Sequence, residues 1–338
     1  MSKIIIRTPN HLGDSLMAQP AAAAFAAGRV SDDIYLLIPE WAEPIYRSIP
    51  DVLLILVENQ YLHGLKAITY QSELLKKEDY GIGLLLTPSF SSALIFYLAG
   101  VKTKIGYKGD GRSLLLNDIL DPKDVAGQHR SIRYQRLFEH YGNTRLTIEP
   151  PHLAVMNPAV EEAVNTLADA GVDLKRGFAA IAPRAVAPSR RWGSENYRAL
   201  SGKIIGELNL DIVLVGAANE YAAGEEIAGN QTRVFNVCGK TNIETAGAVL
   251  SLAKLFIGND SGLAHLAAAV DSPLVVLSGA DDPAETSPIS DKKTVIIRDQ
   301  LECISCVKNF CSKKGDDYMR CMKEITVDEV FGAITARL

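Results

Sequence analysis

The sequence lacks the features that mark membrane-embedded, secreted and nucleic-acid-binding proteins. Its longest apolar run, residues 93–101, falls well short of the roughly 18 residues that a membrane-spanning helix needs. The isoleucine run after Lys3 is too short for the apolar segment of a signal peptide. The formal net charge is −5, whereas nonspecific nucleic-acid binding needs a basic surface. We therefore expect a cytoplasmic protein with no transmembrane segment and no nucleic-acid partner.

Cysteine is scarce, with five residues, yet four of them form the pattern C-x2-C-x4-C-x9-C: Cys303, Cys306, Cys311 and Cys321. Clustered thiols in a reducing compartment suggest a tetrahedral zinc site, or less readily an iron site, of structural rather than catalytic kind. The spacing fits no standard zinc finger, so free packed thiols and a disulfide formed after isolation stay open as alternatives. Cys238 stands apart and is expected in the core.

The chain is long enough for two domains. Its 338 residues exceed the usual ceiling of about 250 to 300 residues for one growing core. Short β-rich runs alternate with helical patterns throughout, which predicts an α/β fold of two doubly wound, Rossmann-like domains. We place the first domain at 1–160, the second at 161–325 with the cysteine-rich segment at its end, and a closing helix at 326–338 with Thr326 as its N-cap.

Ligands of open parallel sheets bind at the turns that follow the strands. The first such turn has no G-x-G-x-x-G order, which disfavours a nicotinamide dehydrogenase. It carries Asp14 in the first turn of the following helix. This carboxylate is either a helix-capping aspartate or a general base for an acceptor hydroxyl.

A second turn, at 258–265, reads as the end of a strand and the start of a helix. Helix N-termini offer unpaired N–H groups to phosphate, Gly262 permits close approach, and Ser261 adds a hydroxyl. An ordinary N-cap is the alternative for this turn. His265 lies one turn into the helix, and is either beside the phosphates or simply packed.

Three further groups of charged residues have both a binding and a surface interpretation. Arg190 and Arg191 follow the first strand of the second domain, where arginine suits a diphosphate, although they also fit a solvated pair. Glu220 follows the next strand and either meets ribose hydroxyls or stabilises its own helix. A helical face in the first domain is either a basic patch for an anionic acceptor or a solvated surface; it carries Arg130, Arg133 and Arg136.

Together these segments resemble glycosyltransferase family nine, the bacterial ADP-heptose:lipopolysaccharide heptosyltransferases. The resemblance spans nearly the whole chain and rests on short motifs in the right order. These are His11-Leu12-Gly13-Asp14 with Gln19-Pro20, Arg190-Arg191-Trp192, Gly216-Ala217 with Glu220, Asn259-Asp260-Ser261-Gly262-Leu263 with His265, Gly279-Ala280-Asp281-Asp282-Pro283 and the terminal cysteines with Arg320-Cys321-Met322. The cysteine-rich end is most similar to the heptosyltransferase II branch.

The resemblance implies the GT-B fold, in which two Rossmann-like domains face a central cleft. It implies an inverting transfer from ADP-heptose to the inner core of lipopolysaccharide at the membrane surface, with Asp14 as the base and no cofactor required for catalysis. The donor-binding residues that it implies are Arg190, Glu220, Thr241, Asp260, Ser261, Gly262, Leu263 and His265. The acceptor-binding residues that we predict are His11, Arg130, Arg133 and Arg136.

Two positions depart from the family pattern. Arg190 stands where the family usually has lysine, which keeps the charge but changes the grip on a diphosphate. His11 stands where the family more usually has an aromatic or aliphatic residue, and we expect this change beside Asp14 to alter the acceptor. Another nucleotide-sugar glycosyltransferase, a 2-epimerase of the same fold and a non-catalytic nucleotide-sugar-binding protein are the alternatives.

Overall fold

The computed structural model describes residues 2–338, which separate into two compact units between Pro151 and His152. This division lies before the expected boundary after residue 160. Helix Asn157–Ala170 explains the difference, because it packs on helix Ile243–Leu252 of the second unit. There the Thr245 hydroxyl donates to the Glu162 carboxylate at 2.8 Å. The whole helix therefore belongs to the second unit.

The first unit alternates strands and helices along the chain. Its elements are β1 (Lys3–Arg7), α1 (Leu12–Ala27), β2 (Asp33–Pro39), α2 (Glu43–Tyr46), β3 (Val52–Val57), α3 (Leu65–Leu75), β4 (Ile82–Leu85), α4 (Phe90–Leu98), β5 (Thr103–Tyr107), β6 (Asp118–Leu120) and α5 (Arg130–Gly142). The strands form one parallel sheet in the order β3-β2-β1-β4-β5-β6. This order is doubly wound: successive strands are added on one side of β1 up to β3, and on its other side from β4 onwards.

The second unit repeats this plan. Its elements are α6 (Asn157–Ala170), β7 (Phe178–Ala182), α7 (Ser194–Leu208), β8 (Asp211–Leu214), α8 (Tyr221–Ala228), β9 (Val234–Asn236), α9 (Ile243–Leu252), β10 (Leu255–Asn259), α10 (Gly262–Ala269), β11 (Leu274–Leu277), α11 (Pro283–Thr286), β12 (Lys293–Ile296), α12 (Arg320–Lys323) and α13 (Val327–Thr335). Its parallel sheet has the order β12-β11-β10-β7-β8-β9. The prediction of two doubly wound α/β units is confirmed.

The central strands of both sheets are covered on both faces, which explains their nearly continuous apolar sequences. In β7 all five residues, FAAIA, are buried, and in β10 the same holds for LFIGN. Strands β6 and β12 lie at the sheet edges. They are short and partly exposed, so their sequences carry little of this signal.

The last helix belongs to the second unit. The Thr326 hydroxyl accepts from the N–H of Glu329 at 3.2 Å, as expected of an N-cap. Val330, Phe331 and Ile334 are buried, and α13 packs on α7 and β11. Within residues 2–338, no helix is both long and apolar enough to cross a membrane.

Candidate active site

Asp14 lies where the first unit's sheet ends and α1 begins. The N-cap position is His11, so Asp14 is a first-turn residue and not the cap. Its Oδ1 atom accepts from Nη1 of Arg130 at 3.1 Å and from the hydroxyl of Tyr134 at 3.0 Å. Both donors belong to α5, and 19% of the Asp14 side chain stays exposed. The carboxylate is thus held from a second helix while still reachable from solvent.

Helix α5 reaches Asp14 because it packs directly on α1. The rings of Phe25 and Phe138 stack with centroids 4.8 Å apart. The same packing buries Tyr134, which is 5% exposed. Burial, and after it the Asp14 carboxylate, raise the pKa of Tyr134 well above the usual value. The phenol therefore stays protonated and donates to Asp14 throughout the physiological pH range.

The side chains of the three arginines of α5 have different partners. Arg130 pairs with Asp14, whereas the Arg133 guanidinium lies over the ring of Tyr107, 4.7 Å from its centroid. Arg136 pairs with Glu139 one turn further along α5, at 3.0 Å. Of these three arginines, Arg130 is the one that contacts the candidate base. Sequence spacing placed the arginines on successive turns but could not show that their side chains have different partners.

An open pocket of about 250 Å³ adjoins Asp14 within the first unit. His11, Asp14 and Tyr134 line it together with residues of the turns after β1 and β4. The structure therefore brings His11 and Asp14 to one pocket, as the sequence predicts. Tyr134 was missed, because a tyrosine within a helical pattern gives no sign of its partner on another helix.

In the second unit, the donor-side candidates follow the carboxyl ends of neighbouring strands. Nε of Arg190 lies 2.6 Å from Oδ2 of Asp281, which follows β11 and is 5% exposed. Arg190 is therefore already paired with a carboxylate. This partner follows a strand that is two places away from β7 in the sheet, so sequence spacing could not reveal it.

Two other arginines at this edge form no ion pair within the described part of the chain. Arg184 comes just after β7, and Arg191 follows the 3-10 turn Pro188–Arg190. Burial first, and then the charge of Arg184, lower the pKa of Arg191, while Glu220 acts in the opposite direction. Two cations that repel each other beside a strand end form an anion-attracting edge. Arg184 was missed, although its place directly after a buried strand was visible in the sequence.

The turn after β10 carries the serine and glycine of the predicted diphosphate site. Ser261 is the N-cap residue of α10, yet its side chain makes no capping hydrogen bond. Its hydroxyl oxygen is buried and has no hydrogen-bond partner within residues 2–338. Gly262 and Leu263 form the first turn of α10, and His265 is 7% exposed in the next part of the helix. Ser261 is therefore not acting as an ordinary cap.

Asp260 and Glu220 both have local partners. Oδ2 of Asp260 accepts from the hydroxyl of Thr286 at 3.1 Å. Oε2 of Glu220 accepts from the N–H of Ala217 at 2.9 Å, within its own turn. A Cβ at Gly216 would lie 2.5 Å from that oxygen, so the glycine makes room for the carboxylate. Glu220 is thus hydrogen-bonded within its own turn, and Thr241 lies in the next turn, after β9.

Asn259, at the end of β10, lies in the turn that the sequence predicts as a diphosphate site, but its own role as a positioning residue was not predicted. It is fully buried. Its Oδ1 accepts from the N–H of Trp192 at 3.1 Å, and its Nδ2 donates to the carbonyl of Pro183 at 2.8 Å. One side chain thereby fixes both ends of the segment that carries Arg184, Arg190 and Arg191.

Comparison with known proteins identifies the family. The model of "Glycosyltransferase family 9 (heptosyltransferase)" matches residues 71–316. This chain belongs to glycosyltransferase family 9. It is 32% identical over 313 residues to lipopolysaccharide heptosyltransferase 2 of Salmonella typhimurium, with 87% of each chain covered. It is 29% identical over 312 residues to the Escherichia coli protein of the same name, again with 87% of each chain covered.

A solved structure of Escherichia coli ADP-heptose lps heptosyltransferase II matches this family 9 glycosyltransferase with a TM-score of 0.79 and 28% identity. The match covers 99% of this chain and 98% of that one. The predicted GT-B class is therefore confirmed. The family model itself includes α5 and the donor-side candidates but leaves Asp14 and Cys321 outside the matched range.

The cysteine-rich segment of this family 9 chain contacts the turns that carry Arg190 and Asp281. The N–H of Ser305 donates to the carbonyl of Gly279 at 3.0 Å, and that of Val307 to the carbonyl of Ala280 at 2.7 Å. The N–H of Ser189 donates to the carbonyl of Asn309 at 3.2 Å. The segment is therefore hydrogen-bonded to the backbone next to both Arg190 and Asp281, the partners of the ion pair.

The four clustered cysteines are free thiols in this structure. Burial first, and then the charges of Cys303, Cys306 and Cys311, raise the pKa of Cys321. Among residues 2–338, however, no three histidine, cysteine, aspartate or glutamate side chains are arranged to hold a metal ion. The side chains as arranged here do not fit a tetrahedral thiolate site, and the zinc hypothesis stays a prediction.

Proposed function

We propose that this glycosyltransferase moves a heptose from ADP-heptose to the inner core of lipopolysaccharide, with Asp14 as the general base. The observation that carries the proposal is the Asp14 carboxylate, held by Tyr134 and Arg130 at the edge of an open pocket. Family membership and the names of the heptosyltransferase 2 relatives support the choice of sugar and acceptor.

The proposed reaction is a single displacement. The Asp14 carboxylate takes the proton of an acceptor hydroxyl as its oxygen attacks the anomeric carbon of the heptose. The new glycosidic bond forms on the face opposite the leaving group, and the bond to the ADP oxygen breaks, with its electron pair leaving on ADP. The configuration at the anomeric carbon is inverted, and neither a covalent intermediate nor a metal ion is required by this scheme.

The second unit supplies groups suited to the diphosphate. Arg184 and Arg191 carry positive charge without an ion pair within residues 2–338, and arginine binds phosphate oxygens in a bidentate manner. The buried Ser261 hydroxyl, which has no hydrogen-bond partner in the described residues, lies at the N-terminus of α10. The helix dipole and the backbone around Gly262 favour an anion there. We assign the negative charge that develops on ADP to these groups.

The remaining donor-side assignments are part of the same proposal. Glu220 and Thr241 follow the adjacent strands β8 and β9. Glu220 would contact the ribose there, and Thr241 the adenine. Asp260, Leu263 and His265 surround the turn that begins α10, beside the heptose and diphosphate. Arg190 adds positive charge beside the diphosphate, and its ion pair with Asp281 holds its side chain in place. The enzyme would meet its acceptor at the inner face of the cytoplasmic membrane.

The test is transfer by the purified enzyme to lipopolysaccharide that lacks the second core heptose. We expect ADP-heptose, and not UDP- or GDP-sugars, to raise the melting temperature and to yield a product heavier by one heptose in a mass spectrum. We expect Asp14→Asn to lower kcat by about 10² to 10⁴-fold, the usual contribution of a general base, while the Kd for ADP changes only a few-fold.

Three outcomes would reject all or part of the proposal. Full transfer by Asp14→Asn would remove the base assignment. Rapid turnover of the nucleotide sugar in the absence of acceptor would favour epimerase chemistry instead. Binding of ADP-heptose without transfer to any lipopolysaccharide core would indicate a non-catalytic binding protein.

A further inference from the structure

The pocket beside Asp14 contains a buried cation that the proposed reaction does not use. Arg7 is the last residue of β1 and lines this pocket, with only 3% of its surface exposed. Nη2 donates to Oδ1 of Asn10 at 2.9 Å, and Nη1 donates to the carbonyl of Leu37 at 3.3 Å. These two partners are uncharged.

No carboxylate pairs with Arg7 anywhere in residues 2–338, and its buried Nε has no hydrogen-bond partner there. Burial lowers the pKa of Arg7 to about 10, so the guanidinium still carries its charge at neutral pH. A buried charge without a counterion is costly, because desolvation is not repaid by a partner. A bound anion would supply that partner.

Two other features of the same pocket favour an anion. The hydroxyl oxygen of Thr87 is buried without a hydrogen-bond partner in the described residues, and Thr87 lines the pocket. Helix α4 begins beside it, and Ser89, Ser91 and Ser92 from its cap and first turn also line the pocket. Only the Ser92 N–H is capped by the Ser89 hydroxyl. The first turn of a helix otherwise presents free N–H groups and the positive end of the dipole.

We propose that Arg7, Thr87 and the N-terminus of α4 form a subsite for an oxyanion, a phosphoryl or carboxylate group carried by the acceptor. This rests on the proposed function, because the subsite adjoins the candidate base. The oxyanion binds Arg7 and the α4 end, and the acceptor sugar thereby presents a hydroxyl to Asp14. Arg7 on β1 and the N-terminus of α4 thus select an acceptor that carries a negative charge. Arg133 and Arg136 do not take this role, because their guanidinium groups have other partners.

The experiment uses inorganic phosphate and acetate as probes of the intact enzyme. With ADP present at saturation, so that the diphosphate site is filled, we expect phosphate, acetate or both to raise the melting temperature. The same probe should inhibit transfer competitively against the acceptor and not against the donor. A response to phosphate alone assigns a phosphoryl group, and a stronger response to acetate assigns a carboxylate.

Substitutions locate the effect. Arg7→Met should abolish the thermal response and raise the KM for the acceptor about tenfold or more, because a hydrogen-bonded charge contributes roughly 1.5 to 3 kcal/mol. Arg7→Lys should keep part of both. If Arg7→Met fails to fold, Thr87→Val and Ser91→Ala should each weaken the probe response several-fold. Arg145→Gln, an exposed arginine of the same unit, is the matched control and should change neither.

The outcomes separate the subsite from the proposed function. An Arg7-dependent response to the probe in an enzyme that transfers no heptose would keep the subsite and reject the function. Normal transfer, with an unchanged acceptor KM in Arg7→Met, would reject the subsite alone. An unchanged probe response in Arg7→Met, or in both Thr87→Val and Ser91→Ala when Arg7→Met does not fold, would also overturn it.

Discussion

The hydroxyl of Tyr134 donates to Oδ1 of Asp14 at 3.0 Å, and this contact joins the candidate base on α1 to the buried face of α5. Burial, and after it the Asp14 carboxylate, raise the pKa of the phenol, which keeps its proton in place. Tyr134 therefore holds the Asp14 carboxylate in one orientation.

We expect Tyr134→Phe to lower kcat about tenfold, because one hydrogen bond that orients the Asp14 carboxylate is lost. Phenylalanine keeps the ring packing, so the melting temperature should change little. Tyr97→Phe, at a half-exposed tyrosine of the same unit, is the control. An unchanged kcat would mean that Tyr134 has only a packing role.

Arg184 offers a test of the donor site that does not involve transfer. We expect Arg184→Gln to weaken ADP binding roughly tenfold in a calorimetric titration, because a charge-assisted contact to phosphate is lost. Arg320→Gln, an arginine on the surface of the same unit, should bind ADP normally. Equal affinities of the three proteins would remove Arg184 from the site.

Asn259 should affect stability and donor binding together. Asn259→Ala leaves a buried N–H and a buried carbonyl without partners, which costs roughly 2 to 4 kcal/mol of unfolding free energy. Denaturation with urea measures this loss. The Kd for ADP should also rise, since the segment with Arg184 and Arg191 loses its anchor. Loss of stability with unchanged ADP affinity would restrict Asn259 to the fold.

Asp211 should make stability depend on acid pH. It is fully buried, and although burial acts against it, hydrogen bonds from Arg233, the Asp173 N–H and Arg176 lower its pKa below the usual 3.8. A lowered folded pKa gives stability that is present above about pH 4 and is lost as pH falls through the folded pKa. Asp211→Asn should therefore reduce the difference in unfolding free energy between pH 7 and pH 3, whereas Asp169→Asn, at an exposed carboxylate, should not.

A structural metal ion at the cysteine segment is the remaining prediction. The four thiols of Cys303, Cys306, Cys311 and Cys321 would favour zinc, or iron, if the ion drew them into ligating positions. We then expect about one equivalent of metal per chain in freshly purified enzyme by elemental analysis, and its loss in Cys321→Ser. Less than about a tenth of an equivalent in the unmodified enzyme would reject the metal and leave free thiols.

Much of the fold follows from local sequence. Helix α9, for example, begins where the side chain of Asn242 accepts from the N–H of Thr245, and asparagine is a favoured N-cap residue. The buried strands are equally clear, since a sheet covered on both faces requires unbroken apolar runs. The edge strands β6 and β12 were missed, because a short, half-exposed segment pairs only when its neighbour is already in place.

The sequence by itself determined the two doubly wound units and the family. It also determined which turns hold the candidate residues, because strand-to-helix turns place their side chains at a known edge of a parallel sheet. Only the tertiary structure decided which charges are paired. Arg190 meets Asp281, Asp14 meets Tyr134 and Arg130, and Arg7 meets no carboxylate within residues 2–338. Such partners lie tens to more than a hundred positions apart in the chain, so packing, and not spacing, selects them.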